Sequence, residues 1–193
     1  MLRHIWVATK MMIIAIVVLG FAYPLFILGI SQAVFPAAAN GSIVSIGGRP
    51  VGSALIAQGF ASAKYFQPRP SAAGAGWEAS ASAGSNLGPT SQTLFDTVQG
   101  RVASATAENP GLTTGTVPVD MVTASGSGLD PDISVANALA QSPRVAAARG
   151  LTEGVVRALV EQHVEGRTLG FLGEPRVNVF ELNLALDALK GSR

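Results

Sequence analysis

Hydrophobic positions run almost unbroken from Met11 to Phe35, and no Asp, Glu, Lys or Arg stands between Lys10 and Arg49. An α-helix rises about 1.5 Å per residue, so about 20 apolar residues cross a hydrocarbon core of about 30 Å. The run predicts one membrane span and is too short for two. Arg3 and Lys10 precede it and Pro36-Ala37-Ala38-Ala39-Asn40-Gly41 follow it, which orients the basic end to the cytoplasm. The predicted organisation is a cytoplasmic N-terminus over residues 1–10, a transmembrane helix over 11–35 and an extracytoplasmic domain over 36–193. A cleaved secretory signal is the rival reading, because basic residues, an apolar run and an Ala-Ala-Ala segment follow in order. Its apolar region would typically be only about 7 to 15 residues. Within the span, Pro24 lacks a backbone donor and predicts a kink. Tyr23, Ser31 and Gln32 are polar groups that seek a protein neighbour or the headgroup zone.

Beyond the span the periodicity changes. Gly41 to Ile46 and Val51 to Ile56 are short β-prone runs around Gly47-Gly48, a hairpin pattern in which Pro50 puts the second strand at an edge or delays its start. From Gln58 to Thr90 Ala, Ser, Gly and Pro dominate, with Tyr65, Phe66 and Trp77 embedded, so a long irregular segment is predicted. A linker would waste those aromatics, and long ordered loops are often functional. Leu94, Phe95, Val98 and Val102 recur at helical spacing from Ser91 to Glu108, where Asn109-Pro110 ends the helix. A strand is predicted from Pro118 to Val122, broken by Ser125-Gly126-Ser127-Gly128.

Three helices follow. The first runs from Ser134, its N-cap, to Arg149, stopped by Gly150 and bent or divided by Pro143. Thr152 caps the second, on which Val155, Val156, Leu159, Val160 and His163 share a face before Gly166. The third starts at Asn178, spaced from Glu181 as in a capping box, with a Leu182, Leu186 and Leu189 stripe. The fold class is a single N-terminal transmembrane helix followed by an α+β extracytoplasmic domain, without a visible internal repeat.

Charged residues are only 13% of the chain, against about a quarter in ordinary soluble domains, so much of the outer surface is expected to face protein. Net charge is +1 without a basic stripe, which argues against nucleic acid. Cysteine is absent, so disulfides and thiolate chemistry are excluded.

His163 is the one histidine beyond the span, too few for a histidine metal cluster. As a general base it would need Ser127 or Ser85 and an orienting acid such as Asp130, yet neither serine lies in a G-x-S-x-G elbow and no S-x-x-K set is present. Asp120, Asp130 and Asp132 lack calcium-loop spacing and read as a turn and a helix start. Gly74-Ala75-Gly76 and Ser125 to Gly128 lack the lysine of a phosphate loop. The residues therefore favour an anchored, non-catalytic domain, with an anchored or secreted hydrolase or solute-binding domain as the alternative.

Longer strings carry a resemblance. They include Tyr23-Pro24-Leu25, Asn40-Gly41-Ser42, Val51-Gly52-Ser53-Ala54-Leu55-Ile56 with Gln58, Tyr65-Phe66, Arg69-Pro70-Ser71-Ala72 and Ser85-Asn86-Leu87-Gly88-Pro89. Pro118-Val119-Asp120, Thr123 to Pro131 with Ile133-Ser134, Arg144-Val145-Ala146 and Leu172 to Val179 are the most specific. Together they resemble the KdpC family, the C chain of the bacterial potassium-transporting ATPase. One departure is Asp132, where the family pattern usually has His.

The resemblance implies a non-catalytic accessory subunit of a high-affinity, ATP-driven potassium importer in the inner membrane. Its implied partners are a channel-like potassium-binding A chain, a P-type ATPase B chain and a small F chain, besides membrane lipid. The complex uses ATP, Mg and potassium, and no cofactor is assigned to this chain. The family's single helix packs against the channel-like chain and its outer domain sits over the ion entrance. A role in ATP binding, attached to the segment matching Val51 to Gln58, is disfavoured because cytosolic ATP and an outer domain occupy opposite compartments. Gly- and Ser-rich loops allow close backbone approach, which makes Ser85, Asn86, Leu87, Ser125, Ser127 and Asp130 candidates for docking or the ion entrance. Pro24 and Gln32 are the candidates for an anchor face against the channel subunit.

Overall fold

The computed structural model describes residues 1–190; residues 191–193, the end of the predicted outer domain, lie outside the described residues. The chain divides into a unit from Met1 to Val51 and a second from Gly52 onward.

The first unit is dominated by one 33-residue apolar helix, Leu2–Val34. It comprises α1 (Leu2–Ala15), a π-helical stretch (Ile16–Ala22) and α2 (Tyr23–Val34), and none of these residues is buried. Pro24 does not break it. A proline lacks the donor for the carbonyl four residues back, and its ring crowds that carbonyl. The wide turn just upstream, where Tyr23 N donates to Val18 O, accommodates this within a continuous helix. After α3 (Pro36–Ala39), β1 (Ile43–Ile46) and β2 (Arg49–Ser53) form a two-stranded sheet. Gly47 and Gly48 both take positive φ, +58° and +79°, as the tight hairpin turn requires. Pro50 lies inside the second strand, which starts earlier and ends earlier than its apolar run predicts; with two strands both are edges, where a proline is tolerated.

In the second unit the Gln58–Thr90 segment stays irregular apart from a short 3-10 turn at Ala79–Ala81. Helix α4 (Gln92–Glu108) begins at Ser91, whose Oγ accepts from Leu94 N (3.4 Å). Its apolar stripe is only half-buried, and Phe95 remains 63% exposed. The predicted strand at Pro118–Val122 is instead a helical turn, α5 (Val119–Val122). Thr123 Oγ1 donates to Val119 O (2.8 Å), and Asp120 is tied to the next helix start, so tertiary contacts override the β propensity.

Three short strands escaped the periodicity reading: β3 (Asp132–Ser134), β4 (Val164–Glu165) and β5 (Arg176–Asn178). They form an antiparallel sheet with β5 central, pairing Ile133 and Val164 with Val177. Two strands run directly into helices. Ser134 Oγ accepts from Asn137 N (3.0 Å) to cap α6 (Val135–Arg149), and Asn178 Oδ1 accepts from Glu181 N (3.1 Å) to cap α8 (Val179–Lys190). Pro143 leaves α6 undivided. The helix ends at Gly150 (φ +66°), with Leu151 N reaching Ala146 O and Gly150 N reaching Ala147 O, a Schellman stop. Helix α7 (Glu153–Gln162) ends before Gly166 because β4 begins, and Val156, Leu159 and Val160 are buried while Val155 points out. These elements enclose one core of Phe66, Ile133, Val145, Val156, Val160, Val177, Leu182 and Leu186. Leu189, last of the predicted stripe, lies at its rim, 37% exposed.

Candidate functional site

The irregular segment is held by side chains of α6 and α8. Arg144, 8% exposed, donates from Nη1 to Ala63 O (2.8 Å) and Tyr65 O (3.1 Å), from Nε to Asn109 Oδ1 (3.0 Å) and from Nη2 to Gln141 Oε1 (2.7 Å). Gln141 brackets Gln67, accepting from its N–H (2.8 Å) and donating to its carbonyl (3.0 Å). Asn183 does the same for Phe66, at 2.9 Å each way, which seats that ring in the core. Arg149 donates to Lys64 O and Leu186 O, pairs with Asp187 and lies over the Tyr65 ring. Buried backbone polar groups demand partners, and here four distant side chains supply what a sheet ladder would.

On this frame sits a cluster of loops. Ser71 Oγ donates to Gly128 O (2.7 Å) and accepts from Ala73 N and Trp77 N. Ser127 O accepts from Ala83 N (2.9 Å) and Ser82 Oγ (2.9 Å), while Ala57 N donates to Leu129 O (2.9 Å). Gly128 has φ +69°, and a Cβ there would stand 2.6 Å from Ala83 O; one on Gly84 would stand 2.8 Å from Gly126 O. These glycines serve backbone-to-backbone contact between the two stretches. The Gly-Ser-Gly stretch holding Ser125 and Ser127 is thus joined to residues 82–84, directly ahead of Ser85, Asn86 and Leu87. Ser85, Asn86 and Leu87 are exposed, with Asn86 at φ +51°; Ser127 is exposed and Ser125 is buried.

Asp120, Asp130 and Asp132 line one shallow cleft of about 270 Å³, but each carboxylate has its own partners. Asp120 accepts from Ser134 N (2.7 Å), Ser134 Oγ and Asn137 Nδ2. Asp130 pairs with Arg69 (3.2 Å) and accepts from Asp132 N (3.1 Å). Asp132 pairs with Arg176 (3.0 Å), which also holds Glu165 (2.7 Å). Burial pushes the Asp132 carboxyl above its ordinary value, against the pull of Arg176. Among the described residues no group of three potential metal ligands assembles. His163 donates from Nδ1 to Leu159 O (2.8 Å) as the C-cap of α7.

In the first unit, Gln32 and Asn40 exchange hydrogen bonds (3.2 and 3.0 Å), so the amide has a partner within this chain. Pro24 and its neighbours are exposed. Sequence reasoning missed Arg144, Gln141, Asn183 and Arg69 as organisers. Polar residues on the inward faces of α6 and α8 were the available signal.

Comparison with known proteins returns one family. The profile described as KdpC, the c chain of a K+-transporting ATPase, matches residues 5–188. A Caulobacter vibrioides protein named potassium-transporting ATPase KdpC subunit is 54% identical over 189 residues, covering 97% of this chain and 94% of its own. Relatives of the same name in Nitratidesulfovibrio vulgaris and Mycobacterium bovis are 57% identical over 173 residues and 50% identical over 189. They cover 89% and 98% of this chain and 87% and 100% of their own length.

Proposed function

Because the chain belongs to the KdpC family, the c chain of the potassium-transporting ATPase, we propose that it is a non-catalytic subunit that assembles and stabilises that complex in the inner membrane. The observation that carries this reading is the apolar helix Leu2–Val34, none of whose residues is buried, ahead of a domain with its own hydrophobic core. Each large apolar side chain left in water forfeits about 1.5–3 kcal/mol, so the helix needs lipid or another helix as cover. Arg3 and Lys10 ahead of the apolar run support an N-terminus in the cytoplasm and a domain outside. ATP hydrolysis then belongs to a P-type B chain, potassium selection to a channel-like A chain, and a small F chain completes the assembly. Pro24 and Gln32 mark the anchor's side toward the channel subunit. The joined loops of Ser85 to Leu87 and Ser125 to Asp130 form the docking or ion-entrance surface, on which close-packed glycine backbones hold exposed polar groups in fixed positions.

The test is mild-detergent affinity purification of the tagged chain from its potassium-starved host, with co-purifying chains identified and potassium-stimulated ATP hydrolysis assayed. A stoichiometric channel-like chain with a P-type ATPase is the expected result. A partner-free chain overturns the proposal.

A further inference from the structure

A cleft of about 210 Å³ opens between α4 and the stretch from Gln67 to Trp77. Pro68, Pro70, Trp77 and Met121 give it apolar walls, and two guanidinium groups line it. They differ. Arg144 has its donors taken by Asn109, Gln141 and the carbonyls of Ala63 and Tyr65. Arg101 donates once, from Nη1 to Val122 O (3.1 Å), and among the described residues no carboxylate lies within ion-pair distance of it. Partial burial lowers its pKa, so this half-buried cation has shed part of its hydration. A guanidinium fork in a half-dry, apolar-walled cleft is suited to a planar carboxylate.

We propose that this cleft is a binding site for a carboxylate carried on a small apolar or aromatic body, with Arg101 as its charge partner and Trp77 as a wall. Glu108, two helical turns further along α4 and about 10 Å away by helix rise, disfavours a second negative charge and selects a monoanion. The carboxylate comes either from a small free acid or from an acidic side chain of a partner subunit.

Trp6 and Trp77 are the chain's two tryptophans, so Trp6→Phe leaves Trp77 as the reporter in the full-length, detergent-solubilised protein. Benzoate is titrated, with benzyl alcohol as the uncharged control. Saturable quenching by benzoate alone, weakened about tenfold or more by Arg101→Gln, supports a free-acid site. If benzoate does not saturate, the purification described above supplies the second arm. There, loss of partner recovery in Arg101→Gln at unchanged melting temperature, relative to a complete wild-type complex, assigns the carboxylate to a partner. Arg101→Lys, which keeps charge but not the fork, stands in if the glutamine variant unfolds. No benzoate saturation together with wild-type recovery of the variants overturns the proposal. Recovery of the unsubstituted complex tests the subunit assignment separately.

Discussion

The anchor helix and the segment from Gln58 to Thr90 solve the same problem in opposite ways. In Leu2–Val34 the backbone bonds run within the helix, locally rearranged around Pro24, and the side chains, none of them buried, are left for the surroundings. In the irregular segment the side chains of Phe66 and Ala73 are fully buried, while the backbone relies on Arg144, Gln141, Asn183 and Arg149 from helices far along the chain. Regularity therefore says little about order. A stretch without secondary structure is as fixed as its partners make it, and a perfect helix can remain dependent on something outside itself.

That contrast is broken most severely at Arg144. Arg144→Leu removes the donor shared by the carbonyls of Ala63 and Tyr65 and the side-chain oxygens of Asn109 and Gln141, and should cost at least about 3 kcal/mol in denaturant unfolding. A loss below about 1 kcal/mol would show that water replaces the guanidinium and that the segment holds itself. Asn183→Ala removes both partners of Phe66 and should cost about 2–4 kcal/mol, with proteolysis between Gln58 and Thr90 rising in parallel. Asp130→Ala breaks a half-exposed pair with Arg69, worth about 0–1 kcal/mol, yet should impair potassium uptake if the loop surface functions as proposed. Wild-type uptake would return that loop to a structural role. Gln32→Leu should leave domain unfolding within about 0.5 kcal/mol while lowering recovery of the complex. Unchanged recovery would confine that amide to its pairing with Asn40.

The smallest effect is a pH slope. Burial, opposed by Arg176, raises the Asp132 pKa in the folded protein, so the native state binds this proton more readily than the unfolded chain. The group's contribution to stability therefore falls as pH rises from about 4 through the raised value, and is flat beyond it. Asp132→Asn cannot ionise. Its stability relative to wild type should climb across that window in denaturant titrations at successive pH values, and a falling difference would mean that the Arg176 pair outweighs burial.

The anchor was legible because its signal is local: apolar length and an absence of charge suffice. The same holds for the caps at Ser134 and Asn178 and the stop at Gly150, whose partners lie within five residues. The strands β3 and β5 were not legible, being three residues long with the last serving as the cap of the following helix. Nor was the site's frame, since Arg144 meets Ala63 across 81 positions and Asn183 meets Phe66 across 117. At Pro118–Val122 the local pattern was misleading, because Asp120 is held by Ser134 and Asn137, contacts absent from any short window. The motifs of the Gly-Ser-Gly loop were readable as strings, but their purpose required seeing Gly128 pressed against Ala83.

The π-helical stretch from Ile16 to Ala22 makes the anchor a shaft with a slipped thread. An α-helix turns about 100° per residue, and a wider turn changes that count locally, so side chains before and after it fall out of angular phase. A stripe drawn at constant pitch from Met11 toward Gln32 therefore does not follow one side of the cylinder. A neighbour lying straight along the anchor meets one stripe below the slip and another above it, and could distinguish this helix from a uniform apolar rod of equal length.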